Sequence, residues 1–282
     1  MKQTQISFLG RCNIQEKERK KKLNEYYEVL GSLKNDKVTA LDYNLRNLEI
    51  ETAKKYIDNK SLVLDVGSGP GVACFEYAKT AKHVIGIDYS KKLVEFSNET
   101  LKKNHKNHKN NIIFEHGSVL KLPYQNDFFN LVTSHRVLIA ILSWEDQQKA
   151  LSEIIRCLKV NGLYIMFEAC VEGLTLLNHY RKMFSLDEIS EGGSGDYDRL
   201  LFSEKKLFQF MERNDCKLIH VHHFGMYYFL TRIFQPLFVA PDIPRYDHKV
   251  NDVAFEIAKK IPNFEKIGHL KGYIWKRNGG GK

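Results

Sequence analysis

The chain has 282 residues, of which 43% are hydrophobic and 27% charged, with a formal net charge of +9. That length admits one large α/β domain or a core with an appendage, and the composition is that of an ordinary globular protein. Five scattered cysteines (12, 74, 157, 170 and 216) without a CxxC pair exclude a disulfide or zinc framework and predict reduced thiols in a cytoplasmic setting; no apolar run approaches the roughly 20 residues of a membrane span. The opening "MKQTQISFLGRCNIQEKERKKK" lacks the apolar stretch of a signal peptide. Much of the positive excess lies in "KERKKK" (17–22) and "KKNHKNHKNN" (102–111). Lysine dominates both and no aromatics interleave, which predicts solvated surface rather than a nucleic-acid interface.

In chain order, Leu23, Tyr26, Tyr27 and Leu30 recur at helical spacing and predict an amphipathic helix over 15–31. Leu41, Leu45, Leu48 and Thr52 predict a second. Alternating units follow: strand 61–66, helix 71–80, strand 83–88, helix 91–104 and strand 111–115. After a loop come strand 129–135, helix 144–159 with Leu151, Ile154, Ile155 and Leu158 on one face, an Asn-Gly stop in "VNG", and strand 163–169. Repeated β-α-β units with short connections predict a parallel sheet with helices on both faces. Beyond residue 170 lie a long connection with a Gly-rich bend at 192–195, a helix 204–214 capped by Ser203, strands 217–224 and 268–277, and between them a helix near 247–261. Phe202 and Leu207 are spaced as a hydrophobic staple for the 204–214 helix. The apolar "MYYFLTRIFQPLFVA" (226–240) admits three readings: a lid over an apolar acceptor, an interfacial helix making peripheral membrane contact, or a helix packed on the sheet.

The first strand runs into "LDVGSGPG", where Gly67, Gly69 and Gly71 form a turn that opens onto a helix N-terminus. Such a turn lets backbone approach a nucleotide-type ligand closely. Its spacing is GxGxG rather than the GxGxxG of dinucleotide sites, and Asp65 stands two residues ahead of it. An acid there repels a pyrophosphate and suits a ligand with an ammonium and a sulfonium, such as S-adenosylmethionine (SAM). Asp88 ends the second strand, where a carboxylate can hold both ribose hydroxyls or cap the next helix.

"VLDVGSGPG", "VIGIDYS", "GSVLKLPYQNDFFNLVTSHRVL" and "EIIRCLKVNGLYIMFEA", spread over residues 60–170, resemble the motifs of class I SAM-dependent methyltransferases of the small-molecule type. The resemblance implies a Rossmann-like, mostly parallel seven-stranded sheet of order 3-2-1-4-5-7-6, with N-terminal helices and C-terminal insertions forming a substrate cap. It implies three parts: 1–58 as helical segment and lid, 59–170 as the SAM-binding core, and 171–282 completing the sheet. By motif position, Asp65, Gly67, Ser68, Gly69 and Gly71 shape the methionine side of the cofactor. Asp88 holds the ribose, Tyr89 lies against the adenine, Ser118 and Val119 meet its edge, and Ser134 and His135 face the methionine and methyl. Arg46 resembles an arginine that reaches the SAM carboxylate. The chain departs from the pattern at Gly117-Ser118, where relatives often carry Gly-Asp, and at "FFN" and "LKVNG".

The implied reaction is in-line methyl transfer to a small-molecule acceptor at oxygen, nitrogen or carbon: a metabolite, sugar or lipid-like compound. His135 is the leading general base, and Arg136, Glu168, Asn178 and Arg181 are candidates for orienting a polar or anionic acceptor. His220, His222 and His223 alternate along a strand without a carboxylate at ligand spacing, so metal-independent chemistry is expected. Two other readings stay open, a nicotinamide-dependent oxidoreductase and a non-catalytic SAM-binding regulatory protein.

Overall fold

The computed structural model describes residues 18–103, 111–191, 199–261 and 264–279. Cys12, most of the second lysine-rich stretch and the bend at 192–195 lie outside them. Two helices open the described chain, α1 (residues 18–32) and α2 (Tyr43–Lys54). Strands β1 (Leu62–Val66), β2 (His83–Asp88), β3 (Ile112–His116) and β4 (Phe129–His135) fall within one residue of the expected spans. They are separated by α3 (Val72–Tyr77), α4 (Lys91–Lys103) and a long loop. Then come α5 (Trp144–Cys157), β5 (Leu158–Ala169), α6 (Val171–Met183), α7 (Glu204–Arg213), β6 (Cys216–His223), α8 (Gly225–Tyr228), α9 (Gln235–Val239), α10 (Lys249–Lys260) and β7 (Leu270–Arg277).

The seven strands form one sheet of order β3-β2-β1-β4-β5-β7-β6, in which β7 runs antiparallel to both neighbours and the other pairs are parallel. Period-2 alternation sends successive residues to opposite faces, each covered by its own core. Val63, Leu131, Ile165, Phe167 and Ile274 join α2, α3 and α10 on one side. Leu64, Val132, Tyr164, Met166, Tyr273 and Trp275 join α5 and α7 on the other. Asp65 shares the face of Val63, so it points toward the α2 and α3 side.

Three local expectations need correction. The Asn-Gly stop does not separate α5 from the next strand: Leu158 already pairs with Phe129, and residues 159–162 form a bulge in which Asn161 takes a left-handed φ of 64°. Asn tolerates that conformation, so a signal expected to stop a helix instead kinks a strand of 12 residues. Ser203 precedes α7 but its side chain does not cap it. The Glu172 carboxylate accepts the Glu204 N–H instead, at 3.0 Å. Finally, segment 226–240 is not one regular helix. α8 passes through a π-helical stretch (Phe229–Phe234) into α9, burying Tyr227, Tyr228 and Ile233 against the core and leaving Phe234, Leu237 and Phe238 exposed. This insertion clamps the start of α2 through Asp42 paired with Arg232 and Tyr227, and α10 adds a second tie through Asn44 on Asp252 at 2.9 Å. No helix among the described residues is long and apolar enough to cross a membrane.

Candidate active site

A cavity of about 400 Å³ opens at the carboxyl ends of β1, β2 and β4, the edge where the strand order reverses around β1. Gly67, Gly69 and Gly71 all hold left-handed φ angles, 65°, 53° and 78°. A Cβ on Gly67 would lie 2.2 Å from Val137 Cγ2, and one on Gly71 would lie 2.5 Å from Phe114 Cζ. Here glycine is demanded by both backbone conformation and contact. Gly67→Ala is expected to cost about 2–4 kcal/mol from the left-handed penalty plus overpacking. An unchanged denaturant midpoint would show that the turn absorbs the methyl.

Asp88 organises this turn. One of its carboxylate oxygens accepts the Gly69 N–H at 2.8 Å and the other the Ser90 N–H at 2.8 Å. It therefore holds the glycine loop together and braces Ser90, whose own Oγ caps α4 by accepting the Leu93 N–H at 3.2 Å, and it keeps unused lone pairs. Burial pushes its carboxyl up to about 6 against the pull of those two N–H groups. Asp65 accepts from Thr133 Oγ1 at 2.7 Å and from the Cys74 thiol at 3.4 Å. Burial raises its carboxyl and nearby His135 opposes the rise.

Helix α1 roofs the cavity. Leu23, Tyr26, Tyr27 and Leu30, the apolar stripe visible in the sequence, line it together. The helix is strapped down by Glu28 accepting the Lys91 N–H at 2.8 Å and by Lys20 paired with Asp146 at 2.7 Å. Burial and the neighbouring Asp88 push the Tyr27 phenol up to about 12.

Of the residues singled out from sequence, the cavity wall gathers Arg46, Asp65, Gly67, Ser68, Gly69, Asp88, Tyr89, Ser118, Val119, His135 and Arg136. Gly71 and Ser134 stand behind it. Gly71 starts α3, and Ser134 Oγ meets the Tyr164 hydroxyl at 2.8 Å. Glu168 is fully buried and faces a loop, accepting the N–H groups of Val137, Leu138 and Ile139 at 3.0, 2.9 and 3.2 Å. Asn178 exchanges two bonds with the Ile189 backbone, and Arg181 donates to the carbonyls of Asp187 and Arg232. These last three belong to the framework around the cavity, because backbone groups already occupy their polar atoms.

His135 is held from both sides. Its Nδ1 lies 2.9 Å from Glu49 Oε2 and its Nε2 lies 2.8 Å from the Tyr77 hydroxyl, while Phe167 stacks on the ring at 4.8 Å. Glu49 and Tyr77 were not among the sequence candidates. The signal for Glu49 was available: it shares the face of Leu45 and Thr52 on α2, where a carboxylate is out of place unless it has a task. Tyr77 gave no signal beyond helical spacing.

Two buried polar atoms of the wall, Arg46 Nε and Ser68 Oγ, have no hydrogen-bond partner among the described residues. Arg46 spends one other nitrogen on the Asp36 carbonyl at 2.6 Å. Buried polar atoms left unpaired cost stability, so their presence in a cavity wall points to a ligand that satisfies them. Elsewhere, Cys170, Glu172 and Glu204 come close enough to suggest a cation. Their partners are internal: Glu172 caps α7, Glu204 pairs with Lys271 at 2.9 Å, and Cys170 Sγ accepts the Gly173 N–H at 3.3 Å.

A family model described as a methyltransferase domain matches residues 57–207. An uncharacterised methyltransferase of Schizosaccharomyces pombe is 34% identical over 120 residues, covering 41% of this chain and 42% of that protein. The uncharacterised methyltransferase YcgJ of Bacillus subtilis is 23% identical over 170 residues, covering 59% of this chain and 64% of its own length. Both matches thus span less than two thirds of the relative. The YcgJ crystal structure superposes with a TM-score of 0.52 at 16% identity, over 83% of this chain and all of that one. A Haemonchus contortus phosphoethanolamine N-methyltransferase, in complex with phosphoethanolamine and S-adenosylhomocysteine, gives a TM-score of 0.61 at 14% identity, over 94% of this chain and 50% of that one.

Proposed function

Because the chain belongs to the methyltransferase-domain family of class I SAM-dependent methyltransferases, we propose that SAM occupies the cavity and that a small-molecule acceptor enters beside it. The observation that carries the reading is the pair of unpartnered buried atoms, Arg46 Nε and Ser68 Oγ, set around a left-handed glycine turn. Arg46 and Ser68 suit the methionine end of the cofactor, and the other wall residues suit its remaining groups. Arg46 takes its carboxylate, Asp65 its ammonium and Asp88 the ribose hydroxyls. Tyr89, Ser118 and Val119 surround the adenine, and the Gly67–Gly69 backbone admits the chain between. A carboxylate-to-hydroxyl arrangement at Asp88 leaves its two backbone bonds intact, since each oxygen still has a free lone pair.

When bound, the cofactor supplies an activated methyl on a positively charged sulfur with a neutral thioether leaving group. The remaining task of the protein is orientation at near-attack distance and exclusion of water. The α1 roof excludes water through Tyr26 and Tyr27. Arg136 orients a polar or anionic acceptor from the cavity mouth. For an acceptor that must lose a proton, His135 Nε2 is the receiving atom once the Tyr77 hydroxyl yields it. We assign residues 1–58 to the lid, 59–170 to the cofactor core and 171–282 to the sheet's completion and acceptor cap. A small acceptor is favoured by the limited volume of the cavity, about 400 Å³, and by the phosphoethanolamine bound to the Haemonchus neighbour.

Calorimetric titration with SAM, S-adenosylhomocysteine and NAD tests this. The two adenosyl compounds are expected to bind with one-to-one stoichiometry and NAD not at all. NAD binding in the absence of SAM binding would replace the reading with a nicotinamide-dependent oxidoreductase.

A further inference from the structure

The charged groups in the cavity wall do not balance. Lys20 and Asp146 neutralise one another at 2.7 Å, which leaves Asp65 and Asp88 facing Arg46, Arg136 and Arg199. One excess cation is an awkward host for a ligand whose sulfonium, ammonium and carboxylate sum to one positive charge. The missing anion lies just behind the wall. Glu49 is fully buried, and its two oxygens serve two different wall residues, Oε1 meeting Arg136 Nη1 and Oε2 meeting His135 Nδ1 at 2.9 Å. Arg136 also holds a left-handed φ of 58°, an unusual conformation for a side chain of its size and one kept only where surroundings enforce it. The same charges are felt at Arg46, whose guanidinium is pushed down chiefly by burial; Asp36 is the main charge opposing that shift, Arg136 adds to it, and Glu49 opposes it more weakly than Asp36.

From this arrangement we infer that Glu49 is the positioning and charge-balancing carboxylate of the site: it pins His135 in a single tautomer, fixes Arg136, and cancels the charge that would otherwise repel a sulfonium. This deepens the cofactor reading and rests on it. The residue lies on α2, outside the 57–207 stretch matched by the family model, so the N-terminal helices carry part of the site itself as well as covering it. A purely structural role is separable from this one. A buried ion pair that serves folding alone does not distinguish a cationic ligand from its neutral counterpart.

SAM and S-adenosylhomocysteine differ by a methyl and one positive charge, so their affinity ratio reads the field at the sulfur. Calorimetry on wild type, Glu49→Gln, Glu49→Asp and the Glu49→Gln/Arg136→Met double variant measures it. Glu49→Gln is expected to weaken SAM about tenfold more than S-adenosylhomocysteine, the effect of one unbalanced charge in a partly screened cavity. The double variant is expected to recover most of the ratio and Glu49→Asp, which keeps the charge, to preserve it. In proton NMR, the low-field Nδ1–H signal of His135 on a carboxylate is expected in wild type and lost in Glu49→Gln. An unchanged ratio in folded Glu49→Gln, equal weakening of both ligands, or a ratio in Glu49→Asp as altered as in Glu49→Gln would overturn the inference. Should Glu49→Gln not fold, the Glu49→Asp ratio and the wild-type resonance decide it. Failure of wild type to bind either compound would instead overturn the cofactor reading beneath it.

Discussion

Replacing Asp88 with alanine is expected to weaken SAM binding by about a hundredfold or more. A hydrogen bond to a charged group contributes roughly 1.5–3 kcal/mol, and two ribose hydroxyls are in play. The alanine also releases the Gly69 and Ser90 N–H groups, so the glycine turn loses the brace that shapes it. Asp88→Asn separates the two effects, because its amide oxygen can still brace one N–H. The wild-type affinity carries its own signature. With the Asp88 carboxyl raised to about 6 by burial, protonation removes an acceptor lone pair as pH falls through that value. SAM affinity should therefore drop between about pH 7 and 5 in wild type and lose that dependence in Asp88→Asn. An alanine variant with wild-type affinity would mean that the carboxylate acts only as a helix and loop brace.

The second large effect is expected at Glu168. Its carboxylate accepts three consecutive backbone N–H groups of the loop after β4, and that loop places Val137 against Gly67. Glu168→Ala strands three buried donors at about 1–3 kcal/mol each, so a loss of roughly 3–5 kcal/mol in unfolding free energy and a distorted cavity wall are expected. The pH dependence runs opposite to the usual carboxylate. Burial raises Glu168 to about 7 from its ordinary 4.5, so the folded state holds a proton that the unfolded state has released. Its contribution is complete below about pH 4.5 and lost as pH rises through 7, a change of about 3 kcal/mol. Glu168→Gln, which cannot ionise, should flatten the stability profile over that window. Identical slopes in the two proteins would show that the carboxylate titrates elsewhere.

Most of the fold was legible because its signals are local. Strands buried on both faces read as aliphatic runs, and α/β alternation with short connections leaves few topologies open. Three glycines with left-handed φ announced themselves, since few residues adopt that conformation cheaply and at Gly67 and Gly71 a side chain would also collide with Val137 or Phe114. The stripe Leu23, Tyr26, Tyr27 and Leu30 was equally plain as a helix face, yet its periodicity could not say that the face covers a cavity instead of the core. Asn161 shows a different limit. Asn-Gly favours a left-handed residue wherever it falls, and whether this ends a helix or bulges a strand depends on the pairing of Leu158 with Phe129 across the sheet.

The site divides along the same line. Asp65, the glycine turn and Asp88 are close in sequence to the strand ends that present them, so composition and spacing sufficed to propose them. Glu168, Asn178 and Arg181 looked like equal candidates beside Arg136, because a polar side chain near a strand end or on a helix carries no mark of what it will touch. Tertiary structure gave the first three to backbone groups and left Arg136 in the wall. It also brought Glu49, 86 positions away in the chain, onto His135. What the sequence determined by itself was the architecture and the glycine cradle, whose causes lie within a few residues. The partners of each buried charge were decided only on folding, because a buried ion is stable only beside a counter-charge that long-range packing delivers.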